Sequence, residues 1–120
     1  MRLESLVAVV SALNEAGSRF LVAGGVAVNL HGYIRATQDL DLVVGLSPEN
    51  ALSAMRALAA LGYRPQVPVA MEDFADPAKR RDWIENQGME VFPVVSDTHP
   101  ETPVGLFGTE PFAFDEKYRL

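Results

Sequence analysis

Asp39-Leu40-Asp41 leads into the run Leu40 to Val44, with Asp39 at its entry. Residues two apart on a strand point to the same face, so the two carboxylates project together, with their roots ~7 Å apart. Side by side they repel and raise one another's pKa. A divalent cation relieves that conflict, and Mg2+ is commonly held by one or two carboxylates together with substrate phosphates and water. Fourteen residues earlier, Gly24-Gly25 follows the apolar run Phe20 to Ala23 and precedes Val26 to Leu30. Glycine permits a sharp turn and a close backbone approach. A helix starting there offers free N–H groups to a phosphate. An anion cradle beside a cation site is the layout that phosphoryl transfer uses. Each motif also has a plainer reading. A Gly-Gly pair often just closes a turn, and an Asp-x-Asp pair is often a solvated face or a turn cap.

The elements that must position these residues are legible from periodicity. Leu3, Leu6, Val7, Val10 and Leu13 are spaced as one face of a helix, which Gly17 ends. Phe20 to Ala23 reads as a buried strand, Val26 to Leu30 as a short helix ending near Gly32, and Leu40 to Val44 as a strand. Ser47-Pro48 predicts a helix start, with Leu52, Met55, Leu58 and Ala59 on the buried side and Gly62 at the close. Pro65 and Pro68 restrict Tyr63 to Val69 to an edge strand at best. A helix over Pro77 to Asn86 stops at Gly88, a strand over Met89 to Val95 is weakened by Pro93, and Val104 to Phe107 is a last strand. The order predicts an α/β (α+β) chain, a small mixed β-sheet flanked by helices, as one domain over residues 1–120.

Composition narrows the function classes. The chain has 120 residues, 10 basic against 16 acidic, for a net charge of −6. Affinity for nucleic acid is driven by Lys and Arg displacing counterions, so no broad nucleic-acid face is expected. Cysteine is absent, which removes disulfides and thiolate metal sites. No run of ~18 apolar residues suggests a membrane span, and the N-terminal residues do not read as a signal peptide, so a cytoplasmic protein is expected.

Taken together, Gly24-Gly25-Val26-Ala27, His31-Gly32, Arg35, Thr37 and Asp39-Leu40-Asp41-Leu42 form a string. It resembles the nucleotidyltransferases of the DNA polymerase beta superfamily, in the AbiE-toxin-like and minimal nucleotidyltransferase group. The resemblance is specific over Phe20 to Val44 and looser beyond. It implies a nucleotidyltransferase-like fold and Mg2+-dependent transfer of a nucleoside monophosphate from a nucleoside triphosphate to an acceptor hydroxyl. It implies further that Gly24 and Gly25 contact the triphosphate, that Asp39 and Asp41 are the catalytic, metal-holding carboxylates, that Arg35 neutralises phosphate charge, and that Thr37 orients a carboxylate. For Arg35 and Thr37 the plainer readings are a surface ion pair and a turn hydrogen bond. A toxin–antitoxin role is also an implication of the group.

Two departures matter. The family carries a third acidic residue on a later strand beside Asp-x-Asp, and here the best match, Val104-Gly105-Leu106-Phe107, puts Gly105 at that position. Glu90 and Glu101 are the substitutes to consider, each otherwise an exposed residue. The alternative function is therefore a degenerate, non-catalytic module that binds a nucleotide or a protein. An acidic side chain from Met89 to Phe107 reaching Asp39 and Asp41 favours the enzyme, whereas Gly105 beside them with no replacement favours the module. Relatives also continue into further helices, from which a homodimer is expected. Elsewhere, His31 reads as a helix-end residue and His99 as exposed. Glu72, Asp73 and Asp76 read as a solvated acidic cluster, Lys79-Arg80-Arg81 as a wet helix face, and Trp83 and Ile84 as core.

Overall fold

The structure is a computed structural model that describes residues 2–23 and 40–110. The helix expected over Val26 to Leu30, His31, five of the six candidate site residues (Gly24, Gly25, Arg35, Thr37 and Asp39) and the tail from Pro111 lie outside the described residues. Within them the chain runs α1 (Leu3–Glu15), β1 (Phe20–Val22), β2 (Leu40–Val44), α2 (Pro48–Ala60), β3 (Tyr63–Pro65), a 3-10 turn (Met71–Ala75), α3 (Pro77–Gln87), β4 (Val91–Ser96) and β5 (Val104–Phe107). The five strands form one mixed sheet in the order β1-β2-β5-β4-β3. β2 and β5 are parallel, and the other three pairings are antiparallel. This is a small α+β protein with three described α-helices, and no described helix is long and apolar enough to cross a membrane.

The helix ends follow their local chemistry. Ser47 accepts a hydrogen bond from the Asn50 N–H at 3.3 Å, with Pro48 at the first helical position of α2. Asp76 caps α3 by accepting from the Ala78 and Lys79 N–H groups. Gly88 ends that helix at φ +66°, where a Cβ would be strained, and the Met89 N–H returns to the Trp83 carbonyl at 2.9 Å.

Alternation sorts the sheet into two faces. Leu40, Leu42 and Val44 of β2, Val104 and Leu106 of β5, and Phe92 and Val94 of β4 join one core cluster with residues from all three helices. The faces of α1 and α2 differ from the spacing first read. In α1 the buried residues are Ser5, Val9 and Leu13, while Val7 is 54% exposed. In α2 they are Ala51, Ala54, Met55, Ala57 and Leu58, while Leu52 is half-buried and Ala59 exposed. Small alanines let α2 approach closely, so the buried stripe follows them rather than the larger apolar residues.

Two further expectations, for Arg80 and His99, are corrected by tertiary packing, while the solvated acidic cluster and the buried Trp83 stand as expected. The 3-10 turn carries Phe74, fully buried and tilted against Phe92 with ring centroids 5.4 Å apart, so the acidic cluster is a wet rim around a core aromatic. Trp83 also stacks on Phe92, with ring centroids 5.1 Å apart. Arg80 belongs to no wet face. It is 7% exposed, lies over the Phe74 ring, and donates to the Phe74 and Leu46 carbonyls. Burial lowers its pKa, against the opposing charges of Asp76 and Glu110. His99 is half-buried, stacked on Tyr63, with Nδ1 2.9 Å from Ser5 Oγ.

Pro93 does not weaken its strand. A residue's N–H and C=O point to the same side of a strand, and the Pro93 carbonyl accepts from Gln66 at 3.0 Å, on the β3 side. The missing N–H therefore faces the end of the short strand β3, and the ladder from β4 to β5 loses nothing.

Two stability predictions follow from these placements. Arg80→Met keeps the stem and removes the guanidinium, and lowers unfolding free energy by about 2 kcal/mol, as expected for hydrogen bonds from a charged group. Arg81→Met, on the exposed side, changes it by less than ~0.5 kcal/mol. Urea titration of both variants separates them. Burial raises the Tyr63 phenol to about 12, and its O–H donates to the Thr102 carbonyl at 2.7 Å. The raised value favours the protonated folded state, so this contribution is whole below pH ~10 and is lost as pH rises toward 12. Unfolding free energies from pH 9 to 12 are expected to fall more steeply in the native chain than in Tyr63→Phe.

Candidate functional site

Antiparallel pairing brings the end of β1 to the middle of β2. Phe20, Leu21 and Val22 stand opposite Val44, Val43 and Leu42. One residue further, the Ala23 N–H donates to the Asp41 carbonyl at 2.8 Å. Ala23 is the residue before Gly24 in sequence. The strand that leads into the Gly-Gly pair is therefore hydrogen-bonded to Asp41 itself, 18 positions along the chain.

Asn50 secures this register. Its Oδ1 accepts from the Arg19 N–H at 2.7 Å, and its Nδ2 donates to the Arg19 and Gly45 carbonyls at 3.0 and 2.8 Å. The Gly45 N–H also donates to the Arg19 carbonyl at 3.1 Å. One amide side chain in the first turn of α2 thus holds the entry to β1 and the exit from β2 together. A one-residue slip would turn Asp41 into the core face, so a pinned register matters here.

Asp41 lies on the sheet face opposite the core cluster and is half-buried. Val43, on the same face, is nearly fully buried. β5 runs parallel beside β2 with Leu40, Asp41 and Leu42 opposite Val104, Gly105 and Leu106. Gly105 thus stands directly beside Asp41, the place where the family pattern puts its third carboxylate. A Cβ built on Gly105 would meet Asp41 Oδ1 at 2.7 Å and Val91 Cγ1 at 2.8 Å. Both distances lie inside van der Waals contact. The carboxylate of Asp41 and a methyl of Val91 close over the glycine from its two sides.

Neither substitute carboxylate stands at this point. The Glu90 carbonyl accepts from the Gly108 N–H at 2.9 Å, which puts Glu90 beside Gly108, three residues and roughly 10 Å along β5 from Gly105. Glu101 precedes the opposite end of β5 and forms an exposed ion pair with Arg2 at 2.9 Å. Among the described residues no three His, Cys, Asp or Glu side chains gather as a metal-binding group, and Asp39 lies outside them. What is assembled is Asp41, the end of the strand before Gly24, and a glycine closed over by Asp41 and Val91.

The signal for Gly105 was available in the sequence. A single glycine inside an apolar strand marks a close approach of some other group. Nothing in the sequence pointed to Val91, whose part depends on the pairing of β4 with β5.

No family model, curated protein or solved structure matches this chain. From their exposed placement, Glu90→Gln and Glu101→Gln are each expected to change unfolding free energy by no more than about 0.5 kcal/mol. Urea titration of each variant makes the comparison.

Proposed function

We propose that this chain is a Mg2+-dependent nucleotidyltransferase-like protein that transfers a nucleoside monophosphate from a nucleoside triphosphate to an acceptor hydroxyl. In this reading Gly24 and Gly25 present backbone N–H groups to the triphosphate, Arg35 offsets phosphate charge, and Thr37 orients a carboxylate. Asp39 and Asp41 hold Mg2+ jointly with the phosphates, a donor set of hard oxygens that suits this cation. The bound metal would supply charge neutralisation at the phosphates. The observation that carries the reading is the hydrogen bond from Ala23 to Asp41, since it sets the lead-in to the Gly-Gly pair beside the carboxylate strand. Anion cradle and cation site must adjoin if one triphosphate is to span both.

A second reading has its own observation. The protein is a nucleotide-binding module that has lost turnover, and what favours it is Gly105 facing Asp41 with Glu90 and Glu101 both displaced along β5. In the superfamily pattern the third carboxylate helps deprotonate the acceptor, so its loss bears on transfer more than on binding. The two readings share the nucleotide and the metal and differ in chemistry.

Calorimetric titration with ATP, GTP, CTP and UTP, in Mg2+ and then in EDTA, is expected to show binding of at least one triphosphate only with the cation. Asp39→Asn and Asp41→Asn are each expected to abolish it. Binding that persists unchanged in both variants removes the metal assignment. Release of pyrophosphate, or label carried from an α-labelled triphosphate to an acceptor, decides for the enzyme, and binding without either decides for the module.

A further inference from the structure

We infer that Gly105 is a positioning residue for Asp41: the volume that a Cβ would occupy is the volume against which the Asp41 carboxylate lies. The inference rests on the reading of Asp41 as a metal-holding carboxylate only for its functional consequence, since the packing stands by itself. The parallel register places Gly105 opposite Asp41 on the same face. A Cβ there would come within 2.7 Å of Asp41 Oδ1 and 2.8 Å of Val91 Cγ1. Gly105 is itself buried between two strands. Its backbone is held by pairing to β2 on one side and to Pro93 of β4 on the other, so the strand cannot slide away from an added methyl. Something must rotate. Asp41 turns about two side-chain bonds and Val91 about one, which its branching stiffens. The carboxylate is therefore the group that gives way. No positive φ accounts for the glycine, for the only described glycines with one are Gly17, Gly62 and Gly88. The close approach of Asp41 and Val91 is what demands a residue without a side chain.

This changes the meaning of the missing third carboxylate. Gly105 is a space that the remaining carboxylate uses. An aspartate placed at 105 carries the same Cβ and drives Asp41 out of the orientation seen here, so the three-carboxylate arrangement cannot be restored by that single substitution. Turning a carboxylate that shares a cation alters its oxygen geometry toward the ion, and disturbances of that kind commonly lower metal affinity by roughly 10–100-fold.

The test uses the full chain with 13C-labelled carboxyl groups. The Asp41 resonance is identified by its loss in Asp41→Asn, and native protein, Gly105→Ala and the double variant Gly105→Ala/Val91→Ala are compared. The Asp41 carboxyl resonance is expected to move in Gly105→Ala. It is expected to return toward its native position in the double variant, where removal of the Val91 methyls lets the new Cβ lean toward β4. Mg2+-dependent ATP affinity is expected to fall by roughly tenfold or more in the single variant and to recover in the double. An Asp41 resonance unchanged in Gly105→Ala overturns the inference. If Gly105→Ala does not fold, the double variant decides, since a native Asp41 resonance there supports the inference and a displaced one overturns it. If the native protein shows no Mg2+-dependent response while Gly105→Ala still moves the Asp41 resonance, the metal reading fails and the positioning role stands.

Discussion

The parallel pairing of β2 with β5 is the constraint on which the arrangement depends. Parallel strands cannot be joined by a tight turn, and the chain between these two covers α2, β3, the 3-10 turn, α3 and β4 before it returns. All of that intervening chain must pack before Asp41 and Gly105 meet. The aromatic stack of Trp83, Phe92 and Phe74 is where it does so, because Phe92 sits on β4, Trp83 on α3 and Phe74 on the 3-10 turn. Burying a large apolar side chain contributes about 1.5–3 kcal/mol, and Phe92, packed against both Trp83 and Phe74, anchors the return of β4 alongside β5.

Polar side chains then select one register from several that hydrophobic burial would accept. Asn50 satisfies three backbone groups at the ends of β1 and β2. Arg80 does similar work on the other flank, joining the Phe74 and Leu46 carbonyls across the start of α2. Buried carbonyls without donors are costly, so these side chains specify geometry as well as stabilise it. The effect is to hold β1 against β2 and the 3-10 turn against the segment that follows β2, with Asp41 on the sheet face away from the core, between the approach to the Gly-Gly pair and Gly105.

The candidate site is accordingly defined by what surrounds one carboxylate. On one side the Ala23 N–H holds the main-chain carbonyl of the same residue, Asp41. On the other is the absence of a side chain, at Gly105, with Val91 beyond it. Gly105 bears on how that carboxylate is aimed.

Local signals in the sequence determined much of the framework. Ser47-Pro48, Asp76-Pro77 and Gly88 mark helix ends whose chemistry is confined to a few neighbouring residues, and β2 and β5 fall where their apolar runs stand. The chemistry proposed for the Asp-x-Asp pair and the glycines before it rests on residue type and short spacing alone. Contacts between distant segments were decided only by tertiary structure. Arg80 reads as a member of a basic run because its carbonyl partners are 6 and 34 positions away. His99 reads as exposed because Ser5 and Tyr63 come to it from elsewhere in the chain. Gly105 reads as a missing acid because its significance is the distance to Asp41 and Val91, which exists only once three strands are in register. Periodicity records which face a residue presents, and only the folded chain records what that face meets.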